Sequence, residues 1–222
     1  MADQTYNRYL AVPQSGQGAG VLVLHAWWGL NDFMREFCDR LAQEGFVALA
    51  PDLYSGKIAR TIEEAEQQIN QWDEEKVVPT ILLPAVEELR KHPAVTSSGL
   101  GVVGFSMGAF WSLWIAQQEP DLFRAVSVFY GTDGGTGDFH QSMVAFQGHF
   151  AAADPYEPTE GVKALEDSLK AANRPVDFYT YPDTGHWFFE KDRRDAYNAQ
   201  AALSAWNRTT AFLHKHLEQN AA

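Results

Sequence analysis

The sequence of 222 residues contains a single cysteine, Cys38. One thiol can form neither an intrachain disulfide nor a cysteine-rich metal site, so both frameworks are excluded. Basic residues are also scarce, because 17 Lys and Arg stand against 29 Asp and Glu, for a net charge of −12. Binding to nucleic acid needs a basic surface patch, and we therefore expect no nucleic-acid partner.

Long hydrophobic runs are lacking as well. No apolar stretch approaches the ~18 residues that a membrane-spanning helix needs, so we expect no membrane partner. The first residues do not have the positive-then-apolar layout of a signal peptide, and a cytoplasmic location is therefore expected. Hydrophobic residues nevertheless make up 45% of the chain, which is enough for one substantial core. We expect a single domain over residues 1–222.

Apolar segments of strand length alternate with helical patterns along the whole chain. Such alternation predicts an α/β fold with a mostly parallel central sheet and helices on both faces. The glycine-rich loop 131–141 is short, so no large lid is expected. The predicted strands are 6–12 (at an edge), 20–25, 46–50, 100–103, 124–130, 143–150 and 176–181. The predicted helices run from Asn31 or Asp32 to 44, from 61, over 77–91 with a kink at Pro79 and Pro84, and over 109–116, 159–172 and 193–217.

Residues 104–108 have the sequence Gly-Phe-Ser-Met-Gly and lie between a predicted strand and a predicted helix. This pattern is typical of a nucleophile elbow, a turn so tight that side chains beside Ser106 would clash. The turn pushes the serine hydroxyl out at the carboxyl edge of the sheet. The following helix directs free N–H groups and its positive dipole end at developing negative charge. Ser106 is therefore the predicted nucleophile.

Serine is a poor nucleophile unless a base accepts its proton. In this architecture the acid and then the histidine follow the serine along the chain. Asp154 and His186 each follow a predicted strand and should lie at the edge of the elbow. We predict that Ser106 attacks an ester carbonyl, that His186 passes the proton to the leaving alcohol, and that Asp154 orients the imidazole. Backbone N–H groups of Met107 and of the loop 26–27 would bind the oxyanion.

Other carboxylates compete with Asp154 for the role of the acid. Asp183 lies three residues before His186 and is more typical of a turn. Asp133 and Asp138, in the glycine-rich loop, remain open as alternative acids. Asp154 is preferred because it follows a strand in the required chain order.

Several histidines have no place in this scheme. His25 ends a predicted strand and is expected to make a structural hydrogen bond. His149 could line the site, and His140 has no predicted role. No histidine pair has the i, i+4 spacing with an acid that is typical of a zinc site, so we predict neither a metal nor a cofactor.

Aromatic residues are frequent in the loops that should surround the site. Bulky apolar residues in loops usually cover something, and they suggest a hydrophobic pocket for an acyl group or aromatic ester. The predicted substrate pocket is Trp28, Tyr54, Phe105, Tyr130, Trp187 and Phe188.

Five segments together resemble the dienelactone hydrolase family of α/β-hydrolases over nearly the whole chain. They are residues 25–31 (His-Ala-Trp-Trp-Gly-Leu-Asn), 50–54 (Ala-Pro-Asp-Leu-Tyr), 104–109, 148–154 and 181–188. The resemblance implies a small, lidless, cofactor-free hydrolase with a triad of Ser106, His186 and Asp154. It also implies that the Trp27 N–H lies beside the Met107 N–H in the oxyanion hole.

The chain departs from this family at three positions. Ser106 stands where the well-studied members have a cysteine, and Ala26 where they have a glutamate that activates the thiol. Glu190 stands where they have an arginine that binds the substrate carboxylate. We expect Glu190 to repel a carboxylate, so neutral esters are expected rather than dienelactone itself.

The resulting hypothesis is a serine carboxylesterase for small to medium neutral esters or lactones. The alternatives are a dienelactone hydrolase proper, an amidase or peptidase on the same triad, and a catalytically silent binding module. The three filled triad positions favour an enzyme, whereas the fold alone would not. A small-molecule substrate is the expected partner, and both a monomer and a small homo-oligomer remain open.

Overall fold

The structure, a computed structural model, describes residues 6–134 and 137–217 of the chain. Within these residues, strands and helices alternate. The strands are β1 (Arg8–Ala11), β2 (Ala19–Leu24), β3 (Phe46–Pro51), β4 (Leu100–Phe105), β5 (Phe123–Phe129), β6 (Ala145–Ala151) and β7 (Val176–Tyr181). The helices are α1 (Asp32–Gln43), α2 (Ile62–Asn70), α3 (Glu74–Val77), α4 (Leu83–Lys91), α5 (Met107–Gln118), α6 (Thr159–Ala171) and α7 (Ala199–Leu217), with a π-helical segment (Val78–Leu82) between α3 and α4.

The strands form one seven-stranded sheet in the order β1-β3-β2-β4-β5-β6-β7. β1 pairs antiparallel with β3 at one edge, and the remaining neighbours are parallel. Every residue of β2, β3 and β4 is buried, as expected for strands covered on both faces. The predicted α/β fold with a mostly parallel sheet is therefore confirmed.

Alternate residues of the central strands enter two separate core layers. Val21 and Val23 pack into the layer with α1 and α7, whereas Leu22 and Leu24 pack into the layer with α4, α5 and α6. Cys38 of α1 is fully buried, and burial raises the pKa of its thiol. Among the described helices, none has both the length and the apolar content needed to cross a bilayer.

Local sequence signals account for two helix features. Asn31, and not Asp32, caps α1, because its side-chain oxygen accepts a 3.1 Å hydrogen bond from the Met34 N–H. The helix predicted over 77–91 is interrupted, since Pro79 lies in the π-helical segment and Pro84 in the first turn of α4. The loop 131–141, expected to carry no lid, includes residues 135–136, which lie outside the described residues.

The predicted start of the last helix at Arg193 is wrong, because α7 begins at Ala199. The Asn198 side chain accepts a 3.1 Å hydrogen bond from the Ala201 N–H, so it competes with continued helix on its N-terminal side. The preceding residues form turns. They bring the Arg193 guanidinium over the Trp28 ring, 3.8 Å from the ring centroid.

The parallel strands direct their carboxyl ends to one edge of the sheet. The loops after β2, β4, β6 and β7 contain Trp27, Ser106, Asp154 and His186, respectively. Residues far apart in sequence are therefore close together at this edge.

Candidate active site

Ser106 is the single residue between β4 and α5. Its backbone has φ 51° and ψ −113°, in a region that non-glycine residues rarely occupy. Such strain persists only where the surrounding structure enforces it, and it is concentrated at functional sites. The turn presents the partly exposed Ser106 side chain above the sheet.

The two glycines of the elbow are required by close backbone approach. A Cβ on Gly104 would collide with the backbone of Gly108. A Cβ on Gly108 would collide with the carbonyl groups of Leu24 and His25. The start of α5 therefore lies directly against the loop that follows β2.

The structure brings Ser106, His186 and Asp154 into one hydrogen-bonded chain. Ser106 Oγ lies 2.9 Å from His186 Nε2, and His186 Nδ1 lies 2.7 Å from Asp154 Oδ2. A carboxylate only accepts hydrogen bonds, so the ring proton belongs on Nδ1, and Nε2 is free to accept the serine proton. The histidine and aspartate side chains are 4% and 3% exposed, which strengthens their interaction.

Backbone donors hold the Asp154 carboxylate in place. Its Oδ1 accepts hydrogen bonds from the N–H groups of Tyr156 at 2.9 Å and Glu157 at 3.1 Å. Glu157 in turn accepts hydrogen bonds from the N–H and the hydroxyl of Thr132, both at 2.9 Å. The loop after β6 is thus tied to the loop after β5, and Asp154 is fixed in position.

The alternative acids lie elsewhere. Asp183 is exposed and has φ 55°, as in a turn. Asp138 is also exposed and accepts a hydrogen bond from the His140 N–H at 3.0 Å. Asp133 is buried in the loop after β5, and the carboxylate on His186 Nδ1 is that of Asp154.

Three aromatic rings surround the His186 imidazole. The ring centroids of Tyr130 and Trp187 each lie 4.9 Å from that of His186, and the Tyr156 ring lies at 5.1 Å. Tyr130 and Trp187 both have positive φ, 38° and 65°. The strained backbone at these residues and at Ser106 is what a preorganised site requires.

Met107 and Trp27 adjoin the nucleophile as the sequence predicts. Met107 is the first residue of α5, so its N–H has no acceptor within the helix. The Trp27 carbonyl accepts a 3.2 Å hydrogen bond from the Gln68 side chain of α2, which holds the loop after β2. Ser106, Met107 and Trp27 line the same cavity of about 310 Å³.

His25 has the structural role that was expected. Its Nδ1 lies 2.6 Å from the Ala26 carbonyl and therefore donates, while Nε2 accepts from the Leu53 N–H at 3.1 Å. Burial lowers its pKa, so the ring is neutral. Tyr54, which follows Leu53 in the chain, donates a 3.1 Å hydrogen bond from its hydroxyl to Met107 Sδ. This network connects the loops after β2 and β3 to the oxyanion side of the site.

His149 is fully buried and does not line the site. Its Nδ1 lies 2.9 Å from the Tyr181 hydroxyl, and its Nε2 is within 3.0 Å of Gln147 Oε1 and Thr209 Oγ1. Burial lowers its pKa to about 3, so it stays neutral. His140 is exposed in the loop after β5.

The predicted substrate pocket needs correction at several positions. Phe105 is fully buried, and its ring stacks on that of Phe129 with centroids 4.7 Å apart. Phe105 therefore belongs to the core. Phe188 is also fully buried and packs against Tyr130 at 5.6 Å. Both side chains point away from substrate because they fill the layer under the site.

The other predicted pocket residues are spread over different places. Trp28 and Trp187 line a cavity of about 790 Å³ beside His186. Tyr130 is buried against the His186 ring. Tyr54 lines a different cavity of about 940 Å³.

The cavity that contains Ser106 is also lined by residues that are not part of the predicted substrate pocket. Phe110 and Trp111 follow Met107 by three and four residues, and this helical spacing was a signal that they would border the oxyanion side. Ile69 and Trp72 come from α2 and the residues after it, and their approach depends on tertiary packing. We call this the aromatic cavity; it is lined by Trp27, Ile69, Trp72, Ser106, Met107, Phe110 and Trp111.

The expectation that Glu190 faces the substrate is wrong. Glu190 is fully buried, and its Oε1 accepts a 2.7 Å hydrogen bond from the Tyr130 hydroxyl. Burial raises its pKa to about 8, so the carboxyl is protonated at neutral pH. It therefore provides no surface charge that could repel a substrate carboxylate.

Comparisons with known proteins agree with this architecture. The family model described as the dienelactone hydrolase family matches residues 6–217. Protein usf of Aquifex pyrophilus is 33% identical over 216 residues, which cover 94% of this chain and 93% of that protein. A Bradyrhizobium protein named as a probable 2-oxo-3-(5-oxofuran-2-ylidene)propanoate lactonase is 30% identical over 224 residues, which cover 94% of this chain and 89% of that protein.

The fold also matches solved structures. A dienelactone hydrolase-like promiscuous phosphotriesterase from metagenomic libraries has a TM-score of 0.78 and 22% identity, covering 92% of this chain and 89% of that one. At that identity the likeness concerns the fold. Within residues 6–134 and 137–217, no group of three or more His, Cys, Asp or Glu side chains is arranged to hold a metal ion.

Proposed function

The chain belongs to the dienelactone hydrolase family and is a hydrolase of the esterase and lactonase type, and we propose that its nucleophile is Ser106. In this proposal His186 is the general base and acid, and Asp154 orients it. The observation that carries the proposal is the continuous chain of 2.9 Å and 2.7 Å contacts from Ser106 Oγ through His186 to Asp154.

The reaction follows from these contacts. His186 Nε2 takes the proton from Ser106 Oγ as the oxygen attacks the ester carbonyl, and the bond to the alkoxy oxygen then breaks. His186 gives its proton to that oxygen, which leaves as the alcohol. Water attacks the acyl-enzyme with His186 again as the base, and the acid is released. Asp154 stabilises the imidazolium during both steps.

The oxyanion of each tetrahedral intermediate is proposed to lie between the N–H groups of Met107 and Trp27. The fixed loop after β2 and the first turn of α5 support this role, because neither donor would have to move. Preorganised donors of this kind typically contribute a factor of about 10²–10³ to kcat.

We further propose neutral esters or lactones as substrates, because of the residues that line the aromatic cavity. The aromatic cavity beside Ser106 contains no charged side chain. A carboxylate placed there would lose its hydration without gaining a partner, which is costly. Neutral acyl groups are therefore favoured.

The experiment that tests the serine is labelling with a fluorophosphonate probe followed by intact-mass measurement. We expect one adduct on the wild type and on Ser15→Ala, which alters an exposed serine, and none on Ser106→Ala. Ester turnover by Ser106→Ala should fall by a factor on the order of 10³–10⁶. Full activity in this variant would refute the proposal.

The same preparation distinguishes the alternatives. Matched ester, lactone and amide substrates with one acyl group separate an esterase from an amidase, and faster amide cleavage would favour the amidase. A folded wild type with neither adduct nor turnover would favour a silent binding module.

A further inference from the structure

Two cavities of different chemistry meet at the catalytic residues. The aromatic cavity includes Ser106 and Met107, whereas a second cavity of about 790 Å³ includes His186. We call the second one the polar cavity, because its lining includes Asp183, Asp192, Arg193, Arg194 and Asn198. The nucleophile and its base therefore open into different spaces.

Two stacked indole rings connect the linings of these cavities. Trp27 lines the aromatic cavity and Trp187 lines the polar cavity. Their rings stack with centroids 5.9 Å apart and an interplanar angle of 28°. The Trp187 ring also contacts the His186 imidazole, with centroids 4.9 Å apart.

The direction of proton transfer decides which half of an ester enters each cavity. The leaving alkoxy oxygen must receive its proton from His186 Nε2, so the alcohol half lies on the side of that imidazole. The acyl half stays bonded to Ser106 Oγ, with its oxygen toward the Met107 N–H. The acyl half therefore occupies the aromatic cavity, and the alcohol half occupies the polar cavity.

The walls of the aromatic cavity suit a rigid apolar group. Trp111 is 4% exposed and forms a buried wall, whereas Phe110 is 39% exposed and Ile69 37% exposed. The Trp72 ring packs between Tyr54 at 5.5 Å and Trp111 at 5.6 Å. The volume of the aromatic cavity, about 310 Å³, is roughly ten times the ~30 Å³ that a water molecule occupies in the liquid. That space is larger than an acetyl group needs.

The polar cavity differs from the aromatic cavity because charged side chains lie among the aromatic rings of its lining, such as Trp28 and Trp187. The Arg193 guanidinium lies over the Trp28 ring and contacts Asp192 Oδ2 at 3.2 Å. Asp183 and Arg194 add exposed charged groups. Charges of both signs provide hydrogen-bond donors and acceptors for hydroxyl groups, which an alkyl chain would leave unused.

We propose that the protein hydrolyses open-chain esters that join an aromatic or medium-length alkyl acid to a polar, hydroxyl-bearing alcohol. Ser106 takes the acyl group into the aromatic cavity, the proton from Ser106 Oγ passes through His186 to the leaving alcohol, and water then releases the acid. This inference rests on the serine esterase function proposed above.

The acyl half is tested with p-nitrophenyl esters, in which the leaving group is constant. We expect kcat/KM to rise by about tenfold or more from the acetate to the hexanoate and the phenylacetate, because the added groups become buried. Phe110→Ala and Trp111→Ala should each lower the phenylacetate-to-acetate ratio several-fold. Phe110 is exposed, so its variant should fold even if Trp111→Ala does not. Leu203→Ala, an exposed change outside both cavities, is the control.

The alcohol half is tested with phenylacetate esters of glycerol and of hexanol. Wild type should prefer the glyceryl ester, and Arg193→Met, which keeps a side chain of similar length but removes the guanidinium over Trp28, should reduce that preference. If Phe110→Ala alters the alcohol preference instead of the acyl preference, the assignment of the two cavities is overturned.

The outcomes separate this inference from the function on which it rests. Turnover that depends on Ser106 but not on the length or aromaticity of the acyl group would refute the inference and leave the esterase proposal standing. No turnover of any ester, together with no fluorophosphonate adduct, would refute the esterase proposal itself.

Discussion

The Tyr130 hydroxyl donates a 2.7 Å hydrogen bond to Oε1 of Glu190, and both side chains are fully buried. The Tyr130 ring also packs against the His186 imidazole, with centroids 4.9 Å apart. Because burial raises the pKa of Glu190 to about 8, a protonated carboxyl lies behind the ring that packs against His186. A residue that the sequence suggested would face substrate is instead part of the support of the site.

This burial makes stability depend on pH. The raised pKa means that the folded state keeps the Glu190 proton while the unfolded state loses it between about pH 4.5 and pH 8. The free energy of unfolding therefore falls as pH rises through that window, by at most about 1.4 kcal/mol per pH unit from this group. Glu190→Gln should be more stable than wild type at pH 8 and gain little at pH 4.5.

Urea unfolding curves at pH 4.5, 6 and 8 measure this effect. Glu66→Gln, an exposed change in α2, is the matched control and should show no such trend. A constant difference between Glu190→Gln and wild type across the three pH values would contradict the account.

Glu190→Arg should not create a carboxylate-binding site. The position is fully buried, so the guanidinium would be an unpaired buried charge and would destabilise the fold by roughly 3 kcal/mol or more. We expect a lower Tm and no gain for esters that carry a carboxylate, as measured by calorimetry and by kcat/KM. A soluble, stable variant with that gain would show that the side chain reaches the substrate after all.

Asp154→Asn should lower kcat by a factor of about 10³–10⁴, since an amide at this position no longer fixes the histidine tautomer or stabilises the imidazolium. KM should change little, because Asp154 is expected to touch His186 and not the substrate. Asp138→Asn, an exposed change in the loop after β5, is the control and should keep nearly full activity. Equal losses in both variants would instead point to a general effect of charge.

Gly108→Ala should be strongly destabilising, by about 2 kcal/mol or more, because its Cβ would collide with the carbonyl groups of Leu24 and His25. Gly161→Ala in α6 is the control, since its Cβ would meet only the side chains of Glu157 and Thr132. A helical Gly→Ala change without a backbone collision is usually neutral or stabilising. Thermal unfolding measures both, and equal stability would remove the steric explanation of the elbow.

Much of the fold follows from local patterns. Buried strands appear as continuous apolar runs, and Gly104 and Gly108 flank a serine between a strand and a helix, so the elbow has a sequence signature. The order of Ser106, Asp154 and His186 along the chain, each after a strand, then predicts one edge of the sheet. Chain order and strand periodicity are properties of the sequence, and no tertiary information was needed.

Other features were decided only by packing. The residues next to Glu190 in the sequence do not predict its burial. Its environment depends on Tyr130, which is sixty residues away. The start of α7 depended on whether the Asn198 side chain or a preceding backbone carbonyl accepts the Ala201 N–H.

The aromatic cavity is a further product of tertiary structure, because Trp27, Trp72 and Trp111 come from three separate segments. The sequence by itself determined the chain order of Ser106, Asp154 and His186 and the placement of each after a strand. The tertiary structure decided which aromatic residues line the aromatic cavity and which fill the core, since side-chain burial depends on contacts between segments that periodicity does not encode.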